Sequence, residues 1–543
     1  MAPTQTVFIP AAGRGSRIAG AGLGLPKPLL TTGGLPVLAH IIDLYPIDWR
    51  VVIALGHEGD LVRESIESIY GDSQGGERIH FCYTDSYLSD GTGLTNTILD
   101  SQRTLGGSSF VFHACDSFIR ASDSSWSEWV EPTDQVVVSR PESAGRYRFL
   151  RRNAGGVQEW NHGSASSDAL SPEVYIGVAH IFETNRFWSS LHQFASTSPE
   201  GGECLGLNPV LVTKVDLEPG RWVDTGSQAG LGRLSSIQFG EANILQKANE
   251  CIWFTGTDVV KMHVDPDFIK GRVARAEALA PFVPAIKSHG RNTYTYGYAS
   301  GVTLSKAIQG ANSPFSDFLS FLLHFWFDTP FPASDELERE GARARYLNFY
   351  ESKTISRTNR LVNRYPHLAE STCINGRYAP SLADQLEGVD WEALAYPLIG
   401  RVHGDLHPEN VIVADAGGFL LLDWRQEIAD SVQAFGDVFY DLGKLAHGLQ
   451  VDHGVVSRGE YLVKHAGPSN VYYSITRSQS KIEAYEALRD FCGKQGFDWS
   501  RVLLVEALIY LNIAILHEPT EYTELLAYMG RDLLNSVSEL TDR

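Results

Sequence analysis

The stretch RVHGDLHPENVIVADAGGFLLLDWR, residues 401–425, decides the reading of the C-terminal half. VIVAD and GFLLLDW each read as a short strand, and Asp415-Ala416-Gly417-Gly418 reads as the turn of a hairpin between them. Pairing these strands brings Asn410 and Asp423 to one end of the hairpin, and Gly404 permits a tight turn that presents Asp405 from a loop. Phosphoryl transfer from a nucleotide needs a carboxylate beside the acceptor hydroxyl and oxygen ligands that hold magnesium against the phosphates. Asp405 suits the first task, and Asn410 with Asp423 the second.

The segments on either side agree. ILQKANECIWFTGTDVVKMHVD, from residue 244, reads as an antiparallel hairpin with Gly256 near its turn and Lys261 in its second strand. DFIKGRVARAEALAPF follows as a helix carrying Glu277, the expected partner of a lysine buried mid-strand. NTYTYGYASGVTLSKAI reads as strand, turn and helix, and the rest is mainly helical, with the aromatic run FLLHFWF as core. With His403-Gly404-Asp405, Asn410 and Asp423-Trp424 in place, this half resembles the aminoglycoside phosphotransferase and choline kinase family. The resemblance implies a two-lobed protein-kinase-like α+β fold and ATP as donor. It also implies a Lys261–Glu277 pair at the α- and β-phosphates, and Asp437 and Asp441 as structural acids bonded to loop backbone. A glycine-rich phosphate loop is not evident in this half.

The N-terminal half alternates strand and helix, which argues for an α/β sandwich with a mostly parallel sheet. TVFIPAA (6–12) reads as a buried strand running into Gly13-Arg14-Gly15-Ser16-Arg17, and Pro26-Lys27-Pro28-Leu29-Leu30 follows. A glycine loop after a strand lets backbone N–H groups approach phosphate, and Arg17 and Lys27 add cations for the phosphates around a reacting α-phosphate. SSFVFHACDSF ends a strand at Asp116, where α/β sheets place ligands, and Arg221-Trp222-Val223-Asp224-Thr225-Gly226-Ser227 supplies a second acid. Two such carboxylates suit one magnesium ion.

G-x-G-S-R…P-K-P-L together with Trp-x-Asp-Thr-Gly resembles sugar-phosphate nucleotidyltransferases, in particular glucose-1-phosphate thymidylyltransferases. The resemblance implies nucleotide contacts at Gly13, Gly15, Ser16, Gly91, Thr92 and Gly93, catalytic roles for Arg17 and Lys27, and metal ligation by Asp116 and Asp224, while VYIGVAHIF reads as a strand whose Gly177 lets an acceptor approach the backbone. One departure stands out: the family's Glu-Lys-Pro is replaced by Gln158-Glu159-Trp160, and Lys214 is the replacement lysine to test.

At 543 residues the chain exceeds one core, and length alone suggests about three or four domains. The motifs divide it into a nucleotidyltransferase-like part, 1–238, and a kinase-like part, 239–543, the latter with a small β lobe at about 244–300 and a helical lobe at about 301–543. The six cysteines lie far apart without metal-type spacing, which disfavours a zinc site or disulfide framework. A net charge of −20 argues against nucleic acid and anionic lipid as partners. No long apolar run or secretory signal is visible, so a cytoplasmic enzyme without a membrane span is expected, and a homo-oligomer stays open.

The expected enzyme is bifunctional. ATP phosphorylates a small sugar or alcohol at the kinase site, and the product couples to a second NTP of unspecified base, with Mg2+ as cofactor at both centres, as in the making of cell-surface glycan. Two alternatives remain at this stage. One is an amino-alcohol (choline) kinase with a CTP-dependent cytidylyltransferase, in which Trp160, Tyr175 and Trp222 would cage a quaternary ammonium; the other is a regulatory or binding protein with one inactive half.

Overall fold

A computed structural model describes residues 5–14, 24–71, 74–85, 93–120, 132–141, 145–152, 154, 158–166, 172–227, 230, 233, 249–310, 312–329, 336–431, 433–467, 469–517 and 520–541. They form two compact units: residues 1–269 with 287–296, and residues 270–286 with 297–543.

In the first unit the principal strands are β1 (Thr6–Pro10), β2 (Arg50–Leu55), β3 (Ile79–Tyr83), β4 (Phe110–His113), β5 (Ser117–Ile119), β6 (Gln135–Ser139), β7 (Val174–Ile181), β8 (Thr213–Asp216) and β9 (Trp222–Asp224). Seven of them make one sheet in the order β8-β6-β7-β4-β1-β2-β3. β1 pairs in parallel with β2 and β4, β2 with β3, and β6 with β8, whereas β7 runs antiparallel to both β4 and β6. The sheet is therefore α/β and mostly parallel. Its order reverses at β1, so the loops leaving β1 and β4 flank a crevice of the kind in which such sheets hold ligands.

The central strands read as unbroken apolar runs because both faces are covered. Alternate residues go to opposite sides: Val7, Ile9, Val51 and Ile53 join one core, and Phe8, Val52, Phe110 and Phe112 the other. The first core is shared by the helices Val37–Asp43 and Gly59–Tyr70, the second by Thr184–Phe194.

The first unit continues past the expected boundary at 238. Strands β10 (Glu250–Phe254), β11 (Asp258–His263), β12 (Ile286–His289) and β13 (Thr293–Gly297) form a sheet in the order β10-β11-β13-β12. Cys251, Trp253, Val260 and Met262 belong to the same core as Val7 and Val51. The Trp253 indole donates to Thr31 Oγ1 at 3.0 Å, and the Phe254 amide to the Gly34 carbonyl at 2.8 Å. These contacts draw the hairpin into the N-terminal unit.

The second unit is mainly helical. Its long helices are Phe315–Phe327, Glu336–Leu347, Lys353–Arg364, Val438–Gln450, Gln479–Gln495, Trp499–Ala514 and Thr520–Thr541. Of the FLLHFWF run, expected as core, Leu322, Phe325 and Trp326 are fully buried, whereas Phe327 at its end is exposed. The hairpin read from 401–425 forms as Val411–Ala414 against Phe419–Leu421, with Val411 opposite Leu421, and Gly301–Thr303 adds a third strand. A separate sheet of Thr372–Ile374, Arg377–Ala379, Tyr461–His465 and Asn470–Ile475 was not foreseen. Among the described residues no helix is long and apolar enough to cross a membrane.

One buried acid gives this unit a testable pH dependence. Glu506 is 1% exposed, accepts hydrogen bonds from Tyr485 (2.9 Å) and Tyr510 (3.1 Å), and has its carboxyl pushed up to about 7 by burial. The folded value exceeds the unfolded one of about 4.3, so the stabilisation is present below that value and is lost as pH rises through about 7. Glu506→Gln removes the titration. The stability of the native protein relative to this variant is expected to fall between pH 5 and pH 8 by on the order of 2–3 kcal/mol, measured by urea unfolding. A pH-independent difference between the two proteins would contradict the assignment.

Candidate active sites

The first cluster is built where the parallel sheet reverses. β1 ends at Pro10, and the Ala11 amide donates to the Ala54 carbonyl (2.8 Å), which leads the chain to an exposed Gly13. Gly15, Ser16, Arg17, Gly91 and Thr92 lie outside the described residues. Lys27 starts a single 3-10 turn, Lys27–Leu29, whose Pro28 and Leu29 are buried and anchor it. Gly93 precedes the helix Leu94–Asp100 and donates its N–H to Asn96 Oδ1 at 3.3 Å.

Asp116 leaves the end of β4, and Asp224 ends β9. β5 and β9 pair antiparallel with Ser117 opposite Asp224, while the Thr225 amide (2.9 Å) and hydroxyl (3.1 Å) both donate to the Asp116 carbonyl. The two acids are thereby fixed side by side. The Lys27 ammonium donates to Asp116 Oδ2 at 2.7 Å.

Gly226 reports how tightly these groups converge. A Cβ there would lie 2.9 Å from Asp224 Oδ1, 3.0 Å from Asp116 Oδ2 and 3.0 Å from Lys27 Nζ. Two carboxylate oxygens and an ammonium thus share one small space, and the oxygen pair suits a hard divalent cation. Sequence reading quoted Gly226 without giving it a role. It also missed the buried His113, whose pKa is lowered to about 4 by burial and which is therefore neutral. His113 Nε2 lies 2.8 Å from the Ser117 carbonyl and must donate there, which leaves Nδ1 to accept from Tyr45 (2.7 Å). This steadies the backbone next to Asp116.

Gly177, expected near an acceptor, lies on β7 at φ +82°, and a Cβ on it would meet Ala114 Cβ at 2.8 Å. Its carbonyl accepts from the Ala114 amide at 2.8 Å, so its smallness lets β7 close on the turn that carries Asp116. Lys214 does not reach this place: it is exposed on the edge strand β8, and β6 and β7 stand between it and β4. Three strand spacings are roughly 14 Å. Nor do the rings proposed as a cage come together. Trp160 packs on Tyr175 (5.5 Å between centroids) in one core, and Trp222 on Tyr147 (5.8 Å) in the other.

The second cluster lies in the second unit. Val402 to Leu406 form a loop tied down from below by the buried Asp441, which accepts from the amides of His403 (2.8 Å) and Gly404 (2.7 Å) and from the Trp326 indole (3.3 Å). Burial pushes its carboxyl up to about 6 against these hydrogen bonds. Asp437 has the matching task one turn earlier, accepting from the Leu398 amide (3.1 Å), Tyr350 (2.9 Å) and Arg501 (3.0 Å). Both acids hold backbone in place, the role that the resemblance implies. His403 is neutral, its pKa lowered to about 4 by burial; Nε2 donates to the Leu422 carbonyl (2.8 Å) and Nδ1 accepts from the Asp405 amide (3.2 Å).

On this frame Asp405 stands half-buried with its carboxylate 2.8 Å from Lys444 Nζ. Burial, the largest single influence, would raise its pKa, but the charge and hydrogen bond of Lys444 and the other charges nearby together outweigh it and hold the carboxyl well below the usual range. His407, 3.9 Å away, is itself neutral, with its pKa lowered to about 3 by burial. Asn410 Nδ2 donates to the Asp405 carbonyl at 2.9 Å, and the Asn410 carbonyl accepts from the Leu422 amide at 2.7 Å, which sets Asp423 one residue further on. Asp423 sits at φ +61°, a conformation aspartate tolerates better than most residues, and the Arg272 guanidinium lies 3.3 Å from its Oδ1. Asp405, Asn410 and Asp423 are therefore brought together. Lys444 and Arg272 complete the cluster and were not assigned from sequence.

Lys261 and Glu277, expected as a pair, fall in different units. Lys261 is buried on β11 with its ammonium 4.0 Å from Glu250 of the adjoining strand, and Glu277 is exposed on its helix. That helix turns its arginines inward instead: Arg275 donates to the Val402 carbonyl, and the Arg272 carbonyl accepts from the Trp424 indole at 2.8 Å.

The loop's geometry depends on Gly404. It sits at φ +85°, and a Cβ there would lie 2.5 Å from Ile428 Cδ1 and 3.1 Å from Arg425 Cβ. Gly404→Ala is expected to lose about 2–4 kcal/mol of stability, from the left-handed backbone and the overpacking together, seen as a lower urea midpoint. A midpoint equal to the native protein's would show that the loop relaxes freely.

No family model and no curated protein sequence matches the chain. Solved structures that resemble it include CTP:phosphocholine cytidylyltransferase from Streptococcus pneumoniae, at 15% identity, covering 43% of this chain and 99% of that one with a TM-score of 0.33. A putative glucose-1-phosphate thymidylyltransferase from Bacillus anthracis matches at 17% identity over 45% of this chain and 99% of its own, TM-score 0.32. UDP-glucose pyrophosphorylase complexed with UDP-glucose matches at 18% identity over 43% of this chain and 97% of its own, TM-score 0.32. At these values the likenesses carry no argument, and the fold rests on the strand order and register given above.

Proposed function

We propose that the chain is a bifunctional transferase, with a small-molecule kinase centre at Asp405 and a nucleotidyltransferase centre at Asp116 and Asp224. The observation that carries this reading is the presence of two separate acid-and-cation clusters, one in each unit: Asp116 and Asp224 with Lys27, and Asp405 with Lys444, beside Asn410 and Asp423.

At the kinase centre an acceptor hydroxyl attacks the γ-phosphorus of ATP, the bond to the β,γ-bridging oxygen breaks, and ADP leaves. Asp405 accepts the hydroxyl proton. Its depressed pKa makes it a weak base, so its main work is orientation, with the proton taken late as the acceptor oxygen acidifies. Lys444 keeps that carboxylate ionised. At the other centre the new phosphate monoester attacks the α-phosphorus of a second NTP and pyrophosphate leaves, while Lys27 offsets charge gathering on the phosphates. Magnesium held by Asp116 and Asp224, and by Asn410 and Asp423, would supply charge neutralisation at the phosphates.

A sugar or sugar-like alcohol is the preferred acceptor class. The separation of Trp222 from Trp160 and Tyr175 removes the aromatic cage on which the quaternary-ammonium reading leaned. The test is incubation of the full chain with Mg2+, ATP, a panel of sugars and amino alcohols and all four NTPs, read by mass spectrometry. The expected result is an NDP-linked product that needs both ATP and a particular acceptor. ADP release indifferent to acceptor, with no pyrophosphate, would remove the reading.

A further inference from the structure

Next to Asp405 the second unit holds a cavity of about 550 Å³ whose charge is unlike that expected for a choline or aminoglycoside acceptor. That volume is in the range of small-ligand sites. Three cations line it: Lys353, Arg357 and Arg425. Two acids also line it, Glu427 and Asp430, and both are exposed. Among the described residues none of the three cations makes an ion pair. Their contacts are of another kind: Lys353 Nζ lies 4.4 Å from the Phe349 ring centre, Arg425 donates to the Tyr440 hydroxyl at 2.9 Å, and Arg357 to the Asn512 carbonyl at 3.1 Å.

Three cations facing one cavity without a carboxylate partner repel one another, and the repulsion is relieved when an anion enters. The Lys353 ammonium records this, being driven well below its usual value by burial and then by Arg425, Arg357 and Lys444. Local backbone adds a second sign. Asn348–Ser352, which supplies one wall, is a π-helical turn between two α-helices, and such turns recur at functional sites.

The cavity adjoins the catalytic loop. Gly404 is packed against Arg425 and Ile428, and Lys353 feels the charge of Asp405. We propose that this cavity is the acceptor subsite of the kinase centre and that it takes an anionic alcohol, one that carries a carboxylate or phosphate which Lys353, Arg357 and Arg425 bind while its hydroxyl faces Asp405. The proposal rests on the kinase reading of Asp405. The step is balanced: the hydroxyl loses its proton to Asp405, an O–P bond forms to the γ-phosphorus of ATP, and ADP departs with the electrons of the broken bond.

The test uses the full chain with Mg2+ and ATP, and four acceptors: glucuronate and glycerol 3-phosphate as the two anionic sources, glucose as the neutral one and choline as the cationic one. ADP release with glucuronate or glycerol 3-phosphate is expected to exceed that with glucose or choline by at least about tenfold in kcat/KM. Arg357→Gln and Lys353→Met are each expected to raise KM for the anionic acceptor by about tenfold or more, with a smaller change in kcat. Preference for glucose or choline, unaltered by these variants, would overturn the anionic assignment and leave the kinase reading standing. Failure of all four acceptors would count against the kinase reading. In that event calorimetric binding of glucuronate and glycerol 3-phosphate without ATP decides the subsite separately: about tenfold weaker binding in both variants supports it, and equal binding, or none in the native protein, overturns it.

Discussion

Asp405→Asn is expected to lower ATP-dependent phosphorylation of the acceptor by between two and four orders of magnitude, mainly in kcat. The exchange keeps the size of the side chain and removes the charge that accepts the hydroxyl proton. Its surroundings should hold, because the loop is fixed by Asp441, His403 and Asn410 rather than by Asp405 itself. The cost to folding is predictable in sign. The folded carboxyl lies below its unfolded value, so Asp405 contributes stability above that unfolded value and loses it as pH falls through the folded one. At neutral pH the variant therefore loses an ion pair with Lys444, a modest change that a melting curve will register. A variant that melts near the native temperature yet transfers phosphate within about threefold of the native rate would show that Asp405 is not the group that meets the acceptor. The control lies in the other unit: pyrophosphate release from an NTP and a supplied phosphate monoester should be unaltered.

What the sequence disclosed, and what it withheld, follows from how far apart the interacting residues lie in the chain. Asp405, Asn410 and Asp423 fall within nineteen residues on one loop and hairpin, so spacing alone foretells their meeting. Alternation of strand and helix gave the mostly parallel sheet in the same way. The direction of β7 was not legible, because a buried strand carries the same apolar run whichever way it points. Lys261 was matched to Glu277 on the logic of a strand followed by a helix, whereas the hairpin register that opposes Ile252 to Lys261 supplies Glu250 as an acid 4.0 Å from the ammonium. The domain edge was set too early for a related reason: Trp253 is an ordinary apolar strand residue in sequence, and its place in the first unit's core and its bond to Thr31, 222 positions away, are not visible there. Arg272 and Lys444 had no signal beyond their charge. Gly226 had one, since a glycine two residues after an acid that ends a strand is where a side chain would obstruct the acid's neighbours.

Asp116→Asn and Asp224→Asn should each reduce NTP-dependent pyrophosphate release by about two to three orders of magnitude while ATP-dependent phosphorylation continues, since the two centres use different residues in different units. The two variants differ in what they leave behind. Asp116→Asn strips Lys27 of the carboxylate 2.7 Å away, whereas Asp224→Asn retains that ion pair, so a loss of similar size in both would point to a shared requirement for paired oxygens rather than to the placement of Lys27. Gly226→Ala separates geometry from charge. It removes no ionisable group, but its methyl would stand 2.9–3.0 Å from Asp224 Oδ1, Asp116 Oδ2 and Lys27 Nζ, in the space where they converge. If that space is where the phosphates react, Gly226→Ala should approach the acid variants in lost pyrophosphate release while its melting temperature stays close to native. A fully active Gly226→Ala, or acid variants that abolish both activities together, would mean that the Asp116–Asp224 pairing serves the fold of the first unit and not its chemistry.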